Sequence, residues 1–188
     1  MDATDVAAVL ARARQGDSEA FRTLVERHSR RAFQLAYRIT GNEQDAEDVV
    51  QESFIHAYRQ LSRFEARAHF ATWLHRIVAN CSIDLIRSRK ARYDHASTDD
   101  LDPTEQPHAG GADPERLTAS AQIEQRVATA MLELSPRERA AFTLRHYEGR
   151  SIADIGKTLG LGTSATKHSV FRAVRKLRAA LEPLRGES

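Results

Sequence analysis

From about Phe70 the apolar residues of the chain fall at Phe70, Trp73, Leu74, Ile77, Val78, Cys81 and Leu85. This i, i+3, i+4, i+7 spacing predicts a helix with one buried face. Thr72, His75, Arg76, Asn80, Asp84 and Arg87 make its polar side, and Arg87-Ser88-Arg89-Lys90 gives it a basic end. Ahead of it, Phe64 to His69 lacks a clean period and reads as an irregular loop with an aromatic at its base. Aromatics at helical spacing are ordinarily packing residues, yet an aperiodic loop beside a basic helix end is also suited to hold a strand of nucleic acid.

The same periodicity organises the rest of the chain. Residues 5–14 predict a short helix, and Gly16-Asp17-Ser18 breaks and recaps the chain. A long helix follows with Phe21, Leu24, Val25, Phe33, Leu35, Ala36 and Ile39 among five arginines, ending at Thr40-Gly41-Asn42. Asn42 caps a third helix, whose first turns carry Glu43, Asp45, Glu47, Asp48 and Glu52. Acids there complement the helix dipole, but five exceed what capping needs and also suit a docking surface for a basic partner. Beyond Lys90 the periodicity stops: residues 93–118, rich in Asp, Pro and Gly, read as a flexible acidic linker between two domains, 1–92 and 119–188.

In the second domain, Ile123, Val127, Met131 and Leu134 continue the apolar pattern, and Ser135-Pro136-Arg137-Glu138 is a capping box with proline at the first helical position. Ser151 to Asp154 repeats the device for a short helix. After the Gly160-Leu161-Gly162 turn a last long helix starts at Thr163, with Val170, Val174 and Leu177 inward and Lys167, Arg172, Arg175, Lys176 and Arg178 outward. Two helices joined by a Gly-containing turn, the second basic, predict a helix-turn-helix. The fold class expected is therefore all-α, two small helical domains.

Charge sharpens this picture. The net charge of +2 over 188 residues hides +2 in residues 1–90, −5 in 91–121 and +5 in 122–188, an asymmetry that points toward nucleic acid. No apolar run approaches the roughly 20 residues of a membrane span, and the N-terminus lacks a signal-peptide layout, so a cytoplasmic location is expected. The single Cys81 cannot form an internal disulfide.

Catalytic chemistry is poorly supplied. There is no Gly-rich phosphate loop or nucleophile motif, and His69, His75 and Cys81 lack zinc-ligand spacing. The carboxylates of the third helix lack the loop that a metal-dependent nuclease would build around them. No cofactor or metal is expected, and the chain is not read as an enzyme. In the last helix, Thr163, Lys167, His168, Ser169, Phe171, Arg172 and Arg175 fall in the window where a recognition helix reaches base edges and phosphates. A helix-turn-helix regulator that binds duplex DNA unaided is the alternative; it would not need the acidic helix or the loop ahead of Phe70.

Taken together, GDSEAFRTLVERH, DAEDVVQESFIHAYRQLSRF, TWLHRIVANCSIDLIR, LSPRERAAFTLRHYEGRSIADIGKTLGL and FRAVRKLR resemble, in order and spacing, the extracytoplasmic-function class of the sigma-70 family of RNA polymerase sigma factors. The resemblance covers roughly residues 10–181. It implies a sigma-2-like domain that binds core polymerase and a sigma-4-like domain that reads the −35 element. Asp45, Asp48, Gln51, Glu52 and Phe54 would meet the β′ clamp helices. Phe64, Glu65, Ala66, Arg67, Ala68, His69, Asn80 and Arg87 would serve −10 recognition, where stacking of an unpaired base on an aromatic contributes about 1–3 kcal/mol.

The partners so implied are core polymerase, at its β′ clamp helices and β flap, promoter DNA and an anti-sigma factor; the free chain is expected to be monomeric, with no further module after the second domain. The chain departs from the family at Ala66, where Gly is usual, and at Ser164 to Ser169. There His168 and Ser169 replace a serine and a frequently basic residue, which bears on the −35 sequence read.

Overall fold

A computed structural model of the chain describes residues 3–64, 69–96 and 119–182. Eight α-helices occupy the described residues: α1 (Ala3–Arg14), α2 (Ser18–Thr40), α3 (Glu43–Gln60), α4 (Phe70–Ala96), α5 (Ala119–Leu132), α6 (Pro136–His146), α7 (Ile152–Leu159) and α8 (Thr163–Leu181), with a 3₁₀ turn at Leu61–Arg63 after α3. No strand occurs among the described residues. Helix α4 continues to Ala96, past the 1–92 boundary expected for the first domain.

The helix ends follow local chemistry. Asp17 accepts from the Ala20 N–H at the start of α2, and Asn42 accepts from Asp45 at the start of α3. Ser135 and Glu138 form a complete capping box on α6, and Ser151 caps α7. Each such oxygen satisfies an N–H that the first turn leaves without a partner. Helix α2 ends on Gly41 at φ 75°, a left-handed conformation that costs glycine no Cβ clash.

In the first half, α2, α3 and α4 pack on one another around Leu24, Leu35, Ile39, Val49, Leu74 and Val78, all essentially fully buried. In the second, α8 crosses α5, α6 and α7, with Ala173 and Leu177 turned inward among Met131 and Leu134. The two halves also pack against each other. Helix α6 meets α2 and α4, α7 meets α4, and Ala140, Ala141, Leu144, Ile155 and Leu159 join the apolar core of the first half.

The polar stripe expected on α4 is thus only partly solvent-facing. His75 is 6% exposed because the second half lies over it, whereas Arg76, Asp84 and Arg87 remain exposed. Gly41 lies in the same contact. A Cβ built there would stand 2.5 Å from Leu132 Cδ2, so its missing side chain both ends α2 and admits α5.

Candidate functional site

Four places concentrate the residues the sequence singles out. The first is a groove between α2 and α3 lined by Phe21, Val25, Phe33, Val50, Phe54 and Tyr58, with Glu47, Gln51, Arg30 and Arg59 at its polar edges. It exists because α2 carries apolar residues on more than its core-facing stripe. Phe21 packs edge-on to Phe54 and Tyr58, at 6.5 and 4.9 Å between centroids, and leaves Tyr58 half exposed and Ile55 exposed.

The expected docking residues divide here. Asp48, Gln51 and Glu52 face solvent, and Phe54 is buried in the groove wall. Asp45 differs from the expectation of an exposed contact: it is 5% exposed and paired with Arg89 of α4. Burial pushes its carboxyl above the usual range, opposed by the Arg89 charge. It ties α3 to α4. The sequence marks Phe21 and Val25 only as apolar positions of the second helix and does not single out Ile55 and Tyr58 of α3; the breadth of the α2 apolar stripe is the signal for a groove.

The second place is an aromatic nest at the start of α4. Phe64, Phe70 and Trp73 lie 4.9 to 6.2 Å apart between centroids, and the His28 ring tilts over Phe70 at 5.1 Å. Phe64 is 4% exposed, which corrects the expectation of a ring offered to a base: it packs as core. Burial also pulls His28 below the ordinary histidine value, aided by Arg27, His75 and Arg31. Glu65, Ala66, Arg67 and Ala68 lie outside the described residues. His69 at the nest's edge is exposed, Asn80 is half-buried, and Arg87 is exposed.

The third is α8. The tight turn before it brings α7 so close that a Cβ on Gly156 would stand 2.7 Å from the Leu161 carbonyl. Thr166 is fully buried, its hydroxyl donating to the Gly162 carbonyl at 3.0 Å. This fixes the start of α8 and turns Thr163, Lys167, His168, Phe171, Arg172 and Arg175 outward, with Ser169 half-buried. Phe171 is 64% exposed, so it does not pack as core. Lys176 instead turns back to Glu138 at 2.7 Å.

The fourth is the seam between the halves, which no sequence pattern announced. Arg139, 5% exposed, sends its guanidinium across: Nη1 donates to the carbonyls of Ile39 at 2.9 Å and Thr40 at 3.3 Å, Nη2 to those of Leu132 at 2.7 Å and Leu134 at 3.4 Å. These are carbonyls at helix ends, which lack intrahelical donors. Burial pulls the guanidinium down to about 10, so it stays charged at neutral pH.

Beside it Arg150 Nη1 donates to Thr72 Oγ1 at 3.1 Å. His75 Nδ1 lies 3.3 Å from Glu148 Oε2 and 3.4 Å from Arg150 Nη2; a protonated nitrogen donates to the carboxylate, a bare one accepts from the guanidinium. Glu148 also faces Arg38 at 3.6 Å, and Arg38 stacks over the Tyr147 ring at 4.6 Å. The hydrogen bond from His75, with the nearby cations, holds the Glu148 carboxyl below its usual value despite burial.

Among the described residues no group of three or more His, Cys, Asp or Glu side chains is arranged to hold a metal ion, and no helix is long and apolar enough to cross a membrane. Cys81 is half-buried, 3.8 Å from His56 Nδ1, and burial pushes its thiol up, away from the reactive thiolate.

Residues 24–92 match the family model for sigma-70 region 2, and residues 124–177 that for sigma-70 region 4. Over 175 residues the chain is 33% identical to the ECF RNA polymerase sigma factor SigW of Bacillus subtilis, covering 91% of this chain and 94% of that protein. It is 33% identical to the RNA polymerase sigma-H factor of Pseudomonas aeruginosa, covering 94% of each. Among solved structures it resembles CnrH in complex with the cytosolic domain of CnrY, with 28% identity, a TM-score of 0.64 and coverage of 94% of this chain and 96% of that one. The sigma factor RpoE of Bartonella quintana, solved with the anti-sigma factor NepR, shares the fold at 22% identity, with a TM-score of 0.64 over 86% of this chain and 96% of that one.

Proposed function

The chain belongs to the extracytoplasmic-function class of the sigma-70 family of RNA polymerase sigma factors, and from that premise we propose a division of labour between its halves. It is a transcription initiation factor that binds polymerase, and not an enzyme; polymerisation belongs to the core. The α2/α3 groove receives an apolar ridge of the core polymerase, at its β′ clamp helices, with Phe21, Phe54 and Tyr58 as the wall. Asp48, Gln51 and Glu52 flank it and meet basic groups. Asp45 leaves the expected contact set, since a buried, paired carboxylate cannot also pair with a partner.

For the −10 element, base capture falls to the loop 65–69 and Asn80, with Arg87 toward phosphate. Phe64 and Phe70 act beneath them as a rigid floor. For the −35 element, α8 enters the major groove with Thr163, Lys167, His168, Ser169, Phe171 and Arg172 toward base edges and Arg175 toward phosphate. The β flap is the expected seat of the second domain on the enzyme. An anti-sigma factor that covers these faces, a cytoplasmic location and a monomeric free state complete the proposal, along with domain limits of 1–92 and 119–188 and a linker of 93–118.

The observation that carries this reading is the occurrence, in one chain, of an acid-flanked apolar groove on α2 and α3 and a helix-turn-helix whose second helix turns its basic residues outward. A stand-alone regulator needs only the latter. The test is runoff transcription with purified core polymerase on a promoter library. Selection of specific promoters supports the proposal, and a chain that leaves the core's promoter choice unchanged refutes it.

A further inference from the structure

We propose that Cys81, His56 and Ser53, where α3 packs on α4, form a site for a thiophilic monovalent cation of the copper(I) class, and that filling it withholds Glu52 from core polymerase. The second half of the inference rests on the sigma-factor reading above.

Two donors already stand at a metal's span. Cys81 Sγ lies 3.8 Å from His56 Nδ1. A metal about 2.3 Å from sulfur and about 2.0 Å from nitrogen, the bond lengths of zinc, bridges that gap at an S–metal–N angle of roughly 120°. The other ring nitrogen is engaged, with His56 Nε2 2.9 Å from Glu52 Oε1. When Nε2–H donates to that carboxylate, Nδ1 is left bare toward the thiol. This is how a carboxylate orients a metal-bound histidine.

Ser53 is an independent sign. It is fully buried, and beyond its approach to the thiol its hydroxyl has no hydrogen-bond partner. That hydroxyl favours the ionised form of Cys81, so its oxygen lies beside the sulfur. A third bond to a cation would recover the desolvation cost that an unpartnered hydroxyl carries.

The donor set selects the ion. A thiolate with one imidazole is soft and suits copper(I). Among the described residues no group of three or more His, Cys, Asp or Glu is arranged to hold a metal, which leaves out a closed four-coordinate zinc centre. As the sulfur–metal bond forms the thiol proton leaves to solvent, so the charge at the site does not change. The Glu52 and Asp84 carboxylates act on the thiol, and their negative field attracts a cation. His56, 42% exposed, gives access from solvent.

Glu52 is among the acids that face the core. A cation on Nδ1 fixes the ring and makes its Nε2–H a stronger donor, which holds the Glu52 carboxylate on the ring.

The test presents copper(I) to the full chain as its bicinchoninate complex, with ascorbate as reductant. The parent should withdraw one equivalent and Cys81→Ser none. His56→Gln should compete at least tenfold less well, and Glu52→Gln about tenfold less well. Equal competition by parent and Cys81→Ser overturns the site; His56→Gln, at a half-exposed position, decides the matter if Cys81→Ser folds poorly, and equal competition by it overturns the site as well. Core binding is then followed by anisotropy of a dye on the N-terminus. One equivalent of copper(I) should weaken it about tenfold in the parent and not at all in Cys81→Ser. Unchanged affinity of the parent overturns the link to Glu52. A metal-free parent that fails to bind core overturns the sigma-factor reading instead, while the copper competition still decides the site.

Discussion

Replacing Arg139 with alanine should unfold the chain in two steps where the parent unfolds in one. The guanidinium makes four hydrogen bonds to carbonyls, two across the seam to Ile39 and Thr40 and two within the second half. Charge-assisted bonds contribute about 1.5 kcal/mol each at the low end of their range, roughly 6 kcal/mol together. Against this stands the cost of burying the charge: the fall from the ordinary guanidinium value to about 10 corresponds to roughly 3 kcal/mol at 1.36 kcal/mol per unit. The balance of about 3 kcal/mol agrees with the ~3–5 kcal/mol typical for removing one partner of a buried charged contact.

Half of these bonds cross the seam, so the halves should uncouple as well as weaken. Trp73, the sole tryptophan, reports on the first half alone, whereas far-ultraviolet circular dichroism reports on helices of both. In urea the two signals should coincide for the parent and separate for Arg139→Ala. Arg139→Lys, which keeps a charge but not the fork, should fall between. A destabilisation under about 1 kcal/mol with coincident transitions would refute the assignment of Arg139 as the main polar tie.

Four further outcomes follow from the geometry. Asp48→Arg should weaken core binding at least tenfold without changing the melting temperature, since the side chain is exposed; Asp45→Asn should leave core binding intact. Lys167→Ala and Arg172→Ala should each lower the salt dependence of −35 binding by about 0.9 for every phosphate the variant no longer neutralises, and Phe171→Ala should impair binding without affecting stability, because the ring is exposed. His28, whose folded value lies below the unfolded one, should make stability fall as pH drops from about 6.5 toward that folded value, as the unfolded state gains the proton first; His28→Phe should flatten this slope in denaturation curves. Glu148, held low chiefly by His75, stabilises above the ordinary glutamate range, and that stability should be lost as pH falls through its depressed folded value; Glu148→Gln should remove the effect.

The helices and their ends were legible because their causes are local. Asp17, Asn42, Ser135 and Ser151 each cap a helix within three residues of the N–H groups they bind, so a short window contains the whole interaction. The direction of α8 was legible for the same reason, from alternation of Val170, Val174 and Leu177 with basic residues, although Ala173 is buried deeper than Val174. The seam was not. Arg150 meets Thr72 across 78 positions and Arg139 meets Ile39 across 100, and a histidine in a polar stripe looks the same whether solvent or another domain covers it. Phe64 misled for a related reason: the loop position that suggested base stacking says nothing of the Phe70 and Trp73 rings packed against it.

Helix α4 runs without a break from Phe70 to Ala96, about 40 Å at 1.5 Å per residue. Near its far end Arg89 is pinned to Asp45 at the head of α3, and its near end carries the Phe64, Phe70 and Trp73 rings. Arg89 stands about 28 Å along the axis from Phe70. A tilt of roughly 5° about that pin moves the near end by about 2.5 Å, on the scale of the helix shifts that operate known switches. A partner pressing on α3 can therefore shift the aromatic nest at the start of α4 by leverage alone, without touching it.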